Sequence, residues 1–521
     1  MSDLRNRLQL IIPMAGSGQR FVAAGYDTPK FLLPVDAMPV IEHVVGMFPS
    51  VETKLICNTS HLTHSDKLAK LGKIVWIPPH KKGPVFTVNE AFDEIDDDRP
   101  VVVAYCDCAA FFDFSALLKH IESEDPDGCL LCHIGFHPHM LGSDHYAFCR
   151  TEGKRLLEIR EKQPFTNNRS EEYASTGSYY FKNGRMLKDY FQRIQKRPGL
   201  NGEHYVSLVY NPMVQDGLKV TIFEVDKMMQ WGTPYDYEEY QNWSRFFFAR
   251  QHLFPEPLSE TTLIVPMAGK GSRFSRDGYY EPKPLIDVDG FPMFVRAVDC
   301  LPPINRKVFV ILREHTVQFS LDQVIRVHFP DAKIVILDEV TEGQAITCQR
   351  AIEIARIPPE QPIMISSCDN GVHYNPTVFS KLIESDFDAI VWSFRNNQTS
   401  RVKPDSYSWL AVDSEGKLNG CYVKHYPFSD SPLKHHAIIG TMYFRAARLF
   451  LDALQRNVDD NIRTKGEFYV DDLLQTMLND RKKIRVFESS NFLCWGTPDD
   501  LKVYNYWKDY FFKRYGVIGP I

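Results

Sequence analysis

The sequence predicts an α/β protein of two tandem domains, each built on a mainly parallel sheet flanked by helices. Short apolar runs alternate with helix-like segments, which is typical of parallel strands joined by crossover helices. An ordered set of motifs also occurs twice in the chain of 521 residues. At roughly 100–250 residues per domain, this length holds about two to four domains.

A duplication accounts for the repeated motifs, because they return in the same order. The pairs are residues 10–21 and 263–274, Pro29-Lys30 and Pro282-Lys283, Pro39 and Pro292, residues 82–87 and 342–347, Cys106-Asp107 and Cys368-Asp369, residues 176–181 and 439–444, Gly202-Glu203 and Gly466-Glu467, and residues 231–236 and 495–500. Partners lie roughly 250–265 residues apart, so the repeated unit is a whole domain and not a solenoid repeat. We therefore predict domains at residues 1–253 and 254–521, joined by a proline-bearing linker at residues 254–260.

Four segments set the expected course of the chain in the first domain. Residues 10–14 and 101–105 are apolar runs, which predicts buried strands. Residues 39–47 and 114–121 are predicted to be helices. Because ligands bind at the carboxyl ends of parallel strands, the glycine-rich segment after residue 14 and Asp107 are expected to border the ligand crevice.

Composition and charge narrow the class of protein. The chain is 44% hydrophobic and 24% charged, with a formal net charge of -6, so no general affinity for nucleic acid or anionic membranes is expected. Its eleven cysteines have no metal-type spacing, which favours free thiols in a reducing compartment. Neither a signal sequence nor a membrane span is predicted, and a cytoplasmic location is therefore expected.

A phosphate-binding site is predicted at residues 16–20 and the Pro-Lys pair that follows. The glycines at positions 16 and 18 let the backbone approach a phosphate chain. Arg20 offers a planar fork of donors and Lys30 a point charge, and both suit phosphate oxygens. The segment is neither a Walker loop nor a dinucleotide fingerprint, because the required Gly-Lys-Ser/Thr and third glycine are missing. The second half repeats the arrangement with Gly269, Gly271, Arg273 and Lys283.

Asp107 and Asp369 each follow a predicted strand. A carboxylate at this place can hold Mg²⁺ against a nucleotide phosphate. A turn or helix-cap aspartate is the alternative explanation for a single copy. The recurrence in both halves favours a metal site.

The glycine-rich segments resemble a known signature. Residues 14–21 with 29–35, and residues 267–274 with 282–290, are similar to the signature of the sugar-phosphate nucleotidyltransferase superfamily, the NDP-sugar pyrophosphorylase-like enzymes. The resemblance covers both halves and is closest to enzymes of bacterial capsule and surface-glycan pathways. It implies two Rossmann-like, GT-A-like domains, a nucleoside triphosphate as donor, a phosphorylated small molecule as acceptor and Mg²⁺ as cofactor.

The resemblance also implies a role for each matching residue. The residues implied in catalysis are Arg20, Lys30, Arg273 and Lys283. Those implied in nucleotide binding are Ala15, Gly16, Gly18, Gly83, Thr87, Ala268, Gly269, Gly271, Gly343 and Thr347. Those implied in acceptor binding are Glu161, Lys162, Gly177, Lys424 and Gly440. The implied metal ligands are Asp107 and Asp369.

The chain departs from the family at the second metal ligand. The carboxylate that the family usually supplies is replaced by Gln230 and Cys494, which suit Mg²⁺ poorly. Candidate replacements are Glu203 in the first half and Glu467, Asp471 or Asp472 in the second. Asp236 and Asp500 are expected instead to cap helices, since each follows a Thr-Pro pair.

Further departures separate the two halves. Ala37 stands where the second half has Gly290 and the family usually has glycine. Glu161-Lys162 matches the family's acceptor segment, but the second half has Val423-Lys424. The segment expected under the nucleobase also differs, beginning Lys82-Gly in one half and Glu342-Gly in the other. The halves are therefore expected to differ in acceptor or base, or one of them to be non-catalytic.

The main functional prediction is a nucleotidyltransferase that joins a nucleotide to a phosphorylated sugar, polyol or amine and releases pyrophosphate. The alternative is a non-catalytic or half-catalytic regulator that binds nucleotide or sugar nucleotide, which Gln230, Cys494 and Ala37 motivate. A glycosyltransferase is disfavoured, because it would be expected to carry Asp-x-Asp at the metal strand. No nucleic-acid or membrane partner is expected, and a homodimer is left open.

Overall fold

The computed structural model describes residues 2–142, 146–249, 257–397 and 399–517. Contacts between residues divide the chain into two compact units, Met1–Gln241 and Asn242–Ile521, called here the N-terminal and the C-terminal unit. The predicted boundary between residues 253 and 254, and the start of the predicted linker, lie outside the described residues. That boundary stays a prediction.

Strands and helices alternate along the N-terminal unit. Its strands are β1 (Gln9–Met14), β2 (Pro34–Val35), β3 (Met38–Pro39), β4 (Glu52–Asn58), β5 (Lys73–Ile77), β6 (Val101–Ala104), β7 (Cys108–Phe111), β8 (Gly128–His133), β9 (Ala147–Glu152), β10 (Arg155–Glu161), β11 (Tyr173–Phe181), β12 (Val220–Glu224) and β13 (Lys227–Gln230). The helices are α1 (Ser2–Arg7), α2 (Gln19–Ala23), α3 (Val40–Gly46), α4 (Ser65–Leu68), α5 (Pro84–Asn89), α6 (Phe114–Glu124), α7 (Gly184–Gln195), α8 (Tyr210–Gln215) and the first part of α9 (Pro234–Phe247), which continues past the end of the unit at Gln241.

The C-terminal unit has the same alternation. Its strands are β14 (Thr262–Pro266), β15 (Asp287–Val288), β16 (Phe291–Pro292), β17 (Arg306–Leu312), β18 (Lys333–Leu337), β19 (Ile363–Ile365), β20 (Asn370–His373), β21 (Ala389–Phe394), β22 (Trp409–Val412), β23 (Leu418–Tyr422), β24 (His436–Phe444), β25 (Ile484–Glu488) and β26 (Asn491–Cys494). The helices are α10 (Ser272–Arg276), α11 (Met293–Asp299), α12 (Arg313–Phe319), α13 (Leu321–His328), α14 (Gln344–Ala355), α15 (Pro376–Ile383), α16 (Thr399–Val402), α17 (Ala447–Asp459), α18 (Val470–Asn479) and α19 (Pro498–Tyr515).

A nine-stranded sheet forms the centre of the N-terminal unit, in the order β5-β4-β1-β6-β11-β8-β12-β10-β9. β4 and β6 run parallel to β1, with Ile11 opposite both Lys54 and Val103. All six residues of β1 are buried, as expected for a central strand of an α/β sheet. The two strands predicted to border the ligand crevice, β1 and β6, therefore run in the same direction.

The sheet is mixed because β11 runs antiparallel to both β6 and β8. Its register shifts between Ser175 and Tyr179, where Gly177 has a φ of 81°, a backbone conformation that favours glycine and is typical of a bulge. The predicted α/β class is confirmed. The reversed strand depends on a long-range pairing that local periodicity does not encode.

The C-terminal unit repeats the order of the first seven strands of this sheet. Its sheet has the order β18-β17-β14-β19-β24-β21-β25, with β22 pairing with β24 and β23. Alternate residues of β17 belong to different hydrophobic clusters. Val308 and Val310 belong to the first cluster. Phe309 and Ile311 belong to the second. Both faces of this sheet are therefore buried, which is why its strands are apolar throughout.

Local signals set the ends of several elements. β1, α3, β6 and α6 occupy the predicted segments to within a few residues. α6 begins after Asp113, whose carboxylate accepts the Ser115 N–H at 2.8 Å. The capping boxes predicted after the Thr-Pro pairs are confirmed: the Asp236 N–H donates to Thr233 Oγ1 and the Asp500 N–H to Thr497 Oγ1, each at 3.2 Å.

All eleven cysteines are free thiols, and nine of them are buried. Over the described ranges, no helix combines the length and the apolar character needed to cross a membrane.

Two tight hairpins, β2–β3 and β15–β16, use two-residue turns. Both turn residues have positive φ in each case, at 47° and 71° for Asp36 and Ala37 and at 57° and 79° for Asp289 and Gly290. Such turns match the twist of the flanking strands, and they favour glycine at the second position. Ala37 therefore holds a backbone conformation that costs an L-residue about 1 kcal/mol, whereas Gly290 avoids that cost.

Exchanging these two residues tests the account. Ala37→Gly is expected to stabilise the N-terminal unit by about 0.5–1 kcal/mol, and Gly290→Ala to destabilise the C-terminal unit by about 1 kcal/mol. A Cβ at Gly290 would meet no atom within 4 Å, so backbone strain alone is changed. Scanning calorimetry should show shifts of about 2–4 °C in opposite directions. Shifts of the same sign would contradict the account.

Candidate active site

A cleft of about 810 Å³ opens in the N-terminal unit where β1 and β6 end. Its wall includes all the site residues predicted for this half, namely Ala15, Gly16, Gly18, Arg20, Lys30, Gly83, Thr87, Asp107, Glu161, Lys162 and Gly177. The structure thus brings together residues that are spread over more than 160 positions of the chain. Their individual roles stay predictions.

The glycine-rich loop leaves β1 with its backbone open to the cleft. A Cβ built on Gly16 or Gly18 would meet no atom within 4 Å. Gly18 has a φ of 61° and precedes α2, a conformation that glycine adopts without strain. The Asn58 side-chain amide donates to the Ala15 carbonyl at 3.0 Å, which fixes the loop at its start. This exposed backbone leaves room for a phosphate chain, and Arg20 is exposed beside it.

Lys30 and Asp107 form an ion pair inside the cleft. Their side chains are 25% and 16% exposed. Burial by itself would lower the pKa of Lys30, but Asp107 outweighs that effect and the pKa lies above its usual value. Burial would likewise raise the pKa of Asp107, but Lys30 holds it below its usual range. Both groups are therefore charged at neutral pH, and both are accessible from the cleft.

Gln230, which replaces the family's second metal carboxylate, lines the same cleft. β13 pairs with β7, which places Gln230 opposite Cys108 and next to Asp107. The amide of Gln230 lies in hydrogen-bonding range of His139. A neutral amide therefore occupies the position at which a carboxylate was expected.

The carboxylates behind Gln230 contact a buried histidine. His139 Nε2 lies 3.2 Å from Asp236 and 3.6 Å from Glu239. Burial alone would lower the pKa of His139, but the two acids raise it above its usual value. These acids thus contact His139. Within the described ranges, no group of three His, Cys, Asp or Glu side chains is arranged to hold a metal ion.

Two side chains hold the predicted acceptor segment. Glu161 accepts the Ser207 hydroxyl at 2.6 Å, and burial raises the pKa of its carboxyl group. Lys162, in a left-handed conformation with a φ of 56°, donates to the Tyr205 hydroxyl at 2.9 Å. Tyr205 in turn donates to Glu203 at 2.7 Å. Glu203, a candidate metal ligand by sequence, is therefore part of the acceptor end.

Sequence reasoning missed Tyr205 and Ser207, which contact Glu161 and Lys162 from more than 40 positions away. It also missed His80, a side chain at the predicted base-binding end. The Lys82 N–H donates to His80 Nδ1 at 3.1 Å, so Nε2 carries the proton and donates to Thr87 at 3.0 Å. A repeat-based search could have flagged Tyr205, because Tyr469 follows the repeated Gly-Glu pair at the same spacing.

The C-terminal unit contains a second ion pair, Lys283 with Asp369, whose side chains are 22% and 23% exposed. Gly271 (φ 58°) approaches this lysine closely, since a Cβ there would lie 3.2 Å from Lys283 Cβ. Ala268 and Gly269 lead from β14 into this loop. The predicted loop, lysine and aspartate therefore meet here as well.

Gly343 and Thr347 lie at the start of α14. A Cβ on Gly343 would lie 2.5 Å from the Phe468 carbonyl, so only glycine fits there. The Thr347 hydroxyl contacts the Gly343 carbonyl at 3.3 Å and the Thr341 hydroxyl at 2.6 Å. The contact of Thr347 with Thr341 thus takes the place of the contact between Thr87 and His80 in the N-terminal unit.

Cys494 is a neutral thiol next to Asp369. Burial, Asp500 and Asp369 raise its pKa well above the usual value. Its sulfur donates to Asp500 at 3.3 Å and accepts the Gly496 N–H at 3.4 Å. A protonated thiol is not the form that binds metals.

The candidate replacement carboxylates have other partners. Asp471 accepts the Ser408 hydroxyl at 2.6 Å. Asp472 accepts the Thr464 hydroxyl at 3.0 Å, and burial raises its pKa to about 6. Lys424 donates to the Ser406 carbonyl at 2.7 Å. Burial raises the pKa of the Tyr469 hydroxyl, and Glu467 lies close enough for its charge to raise that pKa further. Gly440, predicted to bind the acceptor, has a φ of 93°.

One protein-family model matches part of the N-terminal half of the chain. Residues 10–169 match the MobA-like NTP transferase domain family, a segment that begins at β1 and contains the glycine-rich loop, Lys30, Asp107 and Glu161. No curated protein matches the chain.

Solved structures are similar to about half of the chain. The nucleoside-diphosphate-sugar pyrophosphorylase from Vibrio cholerae RC9 is 18% identical over 47% of this chain and 99% of that chain, with a TM-score of 0.39. The inositol-1-phosphate CTP transferase from T. maritima is 15% identical over 47% of this chain and 94% of that chain, with a TM-score of 0.37. Residues 10–169 of the N-terminal unit therefore match a MobA-like NTP transferase domain, and the cleft lies in the same unit.

Proposed function

We propose that the N-terminal unit transfers a nucleotidyl group from a nucleoside triphosphate to a phosphorylated small molecule and releases pyrophosphate. The observation that carries the proposal is the cleft itself. One cavity joins an open glycine backbone, the charged pair Lys30–Asp107 and the acceptor segment Glu161-Lys162. Its volume lies in the range of small-molecule sites, about 300–1,000 Å³.

The reaction needs no covalent enzyme intermediate. An oxygen of the acceptor phosphate forms a bond to the α-phosphorus, and the bond from that phosphorus to the oxygen bridging to the β-phosphate breaks. The electron pair of the broken bond leaves with pyrophosphate. The attacking oxygen is already an anion, so no general base has to remove a proton. Catalysis consists of alignment and charge stabilisation.

The residues divide this work along the cleft. The loop of Gly16 and Gly18 holds the triphosphate through its backbone N–H groups. Arg20 and Lys30 stabilise the negative charge that builds on the phosphate oxygens. Because Lys30 is pinned by Asp107, it is oriented before the substrate arrives.

The other end of the cleft aligns the acceptor. Glu161 accepts a hydrogen bond from an acceptor hydroxyl, and Lys162 neutralises the acceptor phosphate. Arg20 lies close enough to act on the Tyr205 hydroxyl, so the donor and acceptor ends adjoin. A hexose or heptose phosphate, a polyol phosphate or an amine phosphate fits this set of contacts.

Asp107 would hold Mg²⁺. This ion is usually bound in proteins by one or two carboxylates, with substrate phosphates and water as its other ligands. Asp107 alone supplies the one carboxylate that such a site requires, beside the glycine-rich loop. Gln230, its neighbour, is uncharged. The ion, when bound, would neutralise phosphate charge.

The product would be a nucleotide-activated small molecule, and we assign it to the synthesis of capsule or surface polysaccharide precursors in the cytoplasm. The regulatory alternative, in which the domains bind nucleotide without turnover, rests on the missing second carboxylate. The intact pair of Lys30 and Asp107 favours turnover in the N-terminal unit, because both charges remain where the reaction needs them.

Removing Lys30 tests catalysis by the N-terminal unit. In a full chain carrying Lys283→Ala, the change Lys30→Ala should lower kcat about 10²–10³-fold, since a donor to the developing charge is lost. Arg20→Ala, at an exposed position, should lower kcat without disturbing the ion pair. The readout is pyrophosphate release with the four common nucleoside triphosphates and a panel of phosphorylated sugars, polyols and amines.

A matched control is Lys182→Ala, which breaks an exposed ion pair with Asp125 away from the cleft. This variant should keep full activity. Equal turnover in the Lys30 and Lys182 variants would refute the proposed role, and tight nucleotide binding without any pyrophosphate release would support the regulatory alternative.

Chelation tests the metal. Excess EDTA should abolish pyrophosphate release, because the triphosphate charge would remain uncompensated, and added Mg²⁺ should restore it. Asp107→Asn should raise the Mg²⁺ concentration needed for half-maximal rate. Activity that is unchanged in EDTA would exclude the magnesium site.

A further inference from the structure

The acceptor end of the C-terminal unit lacks the carboxylate that Glu161 supplies in the N-terminal unit. Val423 occupies the equivalent position, directly before Lys424. The structure nevertheless places a carboxylate next to this lysine, because Asp471 at the start of α18 lies close enough to Lys424 for their charges to interact. Asp471 is partly exposed, as Glu161 is.

The carboxylate and its hydroxyl partner have changed elements between the units. In the N-terminal unit, Glu161 on β10 accepts the Ser207 hydroxyl at 2.6 Å. In the C-terminal unit, Asp471 holds the position that corresponds to Ser207, and it accepts the Ser408 hydroxyl at 2.6 Å. Burial raises the pKa of both carboxyl groups, and the neighbouring lysine lowers it in both. The two carboxylates therefore have the same kind of surroundings.

The lysines also correspond. Lys162 and Lys424 both have left-handed backbones, with φ of 56° and 51°. Each ammonium group lies near a tyrosine ring, at 4.8 Å for Tyr205 and 5.9 Å for Tyr469. Lys162 donates to the Tyr205 hydroxyl, whereas Lys424 donates to the Ser406 carbonyl at 2.7 Å. Both lysines therefore have the same backbone conformation beside the equivalent tyrosine.

The tyrosine is surrounded by similar charges in both units. Tyr205 interacts with Glu203, Glu161 and Arg20. The charged neighbours of Tyr469 are Glu467, Asp471, Arg273 and Asp472. Asp471 thus supplies from a helix the carboxylate that Glu161 supplies from a strand, and Asp472 adds one further carboxylate.

We infer that the C-terminal unit has its own binding site for a phosphorylated, hydroxyl-bearing acceptor, in which Asp471 replaces Glu161. Asp471 accepts a hydrogen bond from an acceptor hydroxyl, while Lys424 and Arg273 neutralise the acceptor phosphate. The Lys283–Asp369 pair, whose side chains are partly buried, belongs to the same unit. This inference rests on the proposed function only for the kind of ligand, since the site is assigned from the residues of the C-terminal unit.

The floor of this second site is wider. In the N-terminal unit, a Cβ on Gly177 would lie 3.1 Å from the ring of Tyr105. At the equivalent Gly440, the nearest atom would be the Ser367 hydroxyl at 3.7 Å. Ser367 occupies the position of Tyr105, and it accepts from the Asn370 amide at 2.5 Å. The smaller serine side chain therefore leaves more space at this glycine than the tyrosine ring does.

The test measures binding in the full chain, with the N-terminal acceptor end silenced by Glu161→Gln and Lys162→Ala. Isothermal titration calorimetry with hexose phosphates, glycerol phosphate and phosphoethanolamine identifies the probe that binds best. Asp471→Ser should weaken binding of that probe about 10–100-fold, as expected for the loss of a hydrogen bond to a charged group.

A rescue separates this role from a structural one. Adding Val423→Glu to Asp471→Ser recreates the arrangement of Glu161 and Ser207, and binding should recover to within a few-fold. Asp480→Ser, which removes an aspartate paired with Arg456 at the end of α18, should leave affinity unchanged.

Affinity that does not change with Asp471→Ser, or the failure of every probe to bind, overturns the inference. Failure of the proposed function would appear elsewhere, as pyrophosphate release that does not depend on Lys30. The two results are independent, because they are read from different units by different measurements.

Discussion

The ion pair between a lysine and an aspartate is the interaction on which each site depends. Lys30 lies between α2 and β2, and Asp107 follows the central strand β6. Pairing joins the segment after the glycine-rich loop to the central sheet and leaves both charges accessible. Lys283 and Asp369 do the same in the C-terminal unit. Because each partner is partly buried, either one alone would leave an uncompensated charge.

The side chain next to the paired aspartate differs between the two units, but it is uncharged in both. Gln230 stands next to Asp107, and the acids behind it pair with His139. Cys494 stands next to Asp369 as a neutral thiol that donates to Asp500. Each unit therefore has one carboxylate with an uncharged neighbour, which is an amide in one unit and a thiol in the other. The proposed donor, a nucleoside triphosphate, is negatively charged. One carboxylate would repel it less than two carboxylates would.

The acceptor ends show how a duplicated site keeps its chemistry while its sequence changes. Glu161 and Asp471 reach equivalent surroundings from different elements, a strand in one unit and a helix in the other. What is retained is a carboxylate beside a left-handed lysine and a tyrosine. The order of residues in the motif is not retained. A motif comparison along the chain would therefore score the C-terminal acceptor segment as lost.

The sequence by itself determined the α/β class, the repeated motifs and the main residues of the cleft. The glycine loop and Asp107 each follow a strand whose pattern is local, and Lys30 belongs to a Pro-Lys pair that recurs in the second half. It also determined the helix caps, which depend on neighbours three positions apart. Only the tertiary structure decided the reversal of β11, the contact of Gln230 with His139 and the partners of Glu161. Ser207 lies 46 positions from Glu161, and such side chains meet only when distant strands and helices pack around one sheet.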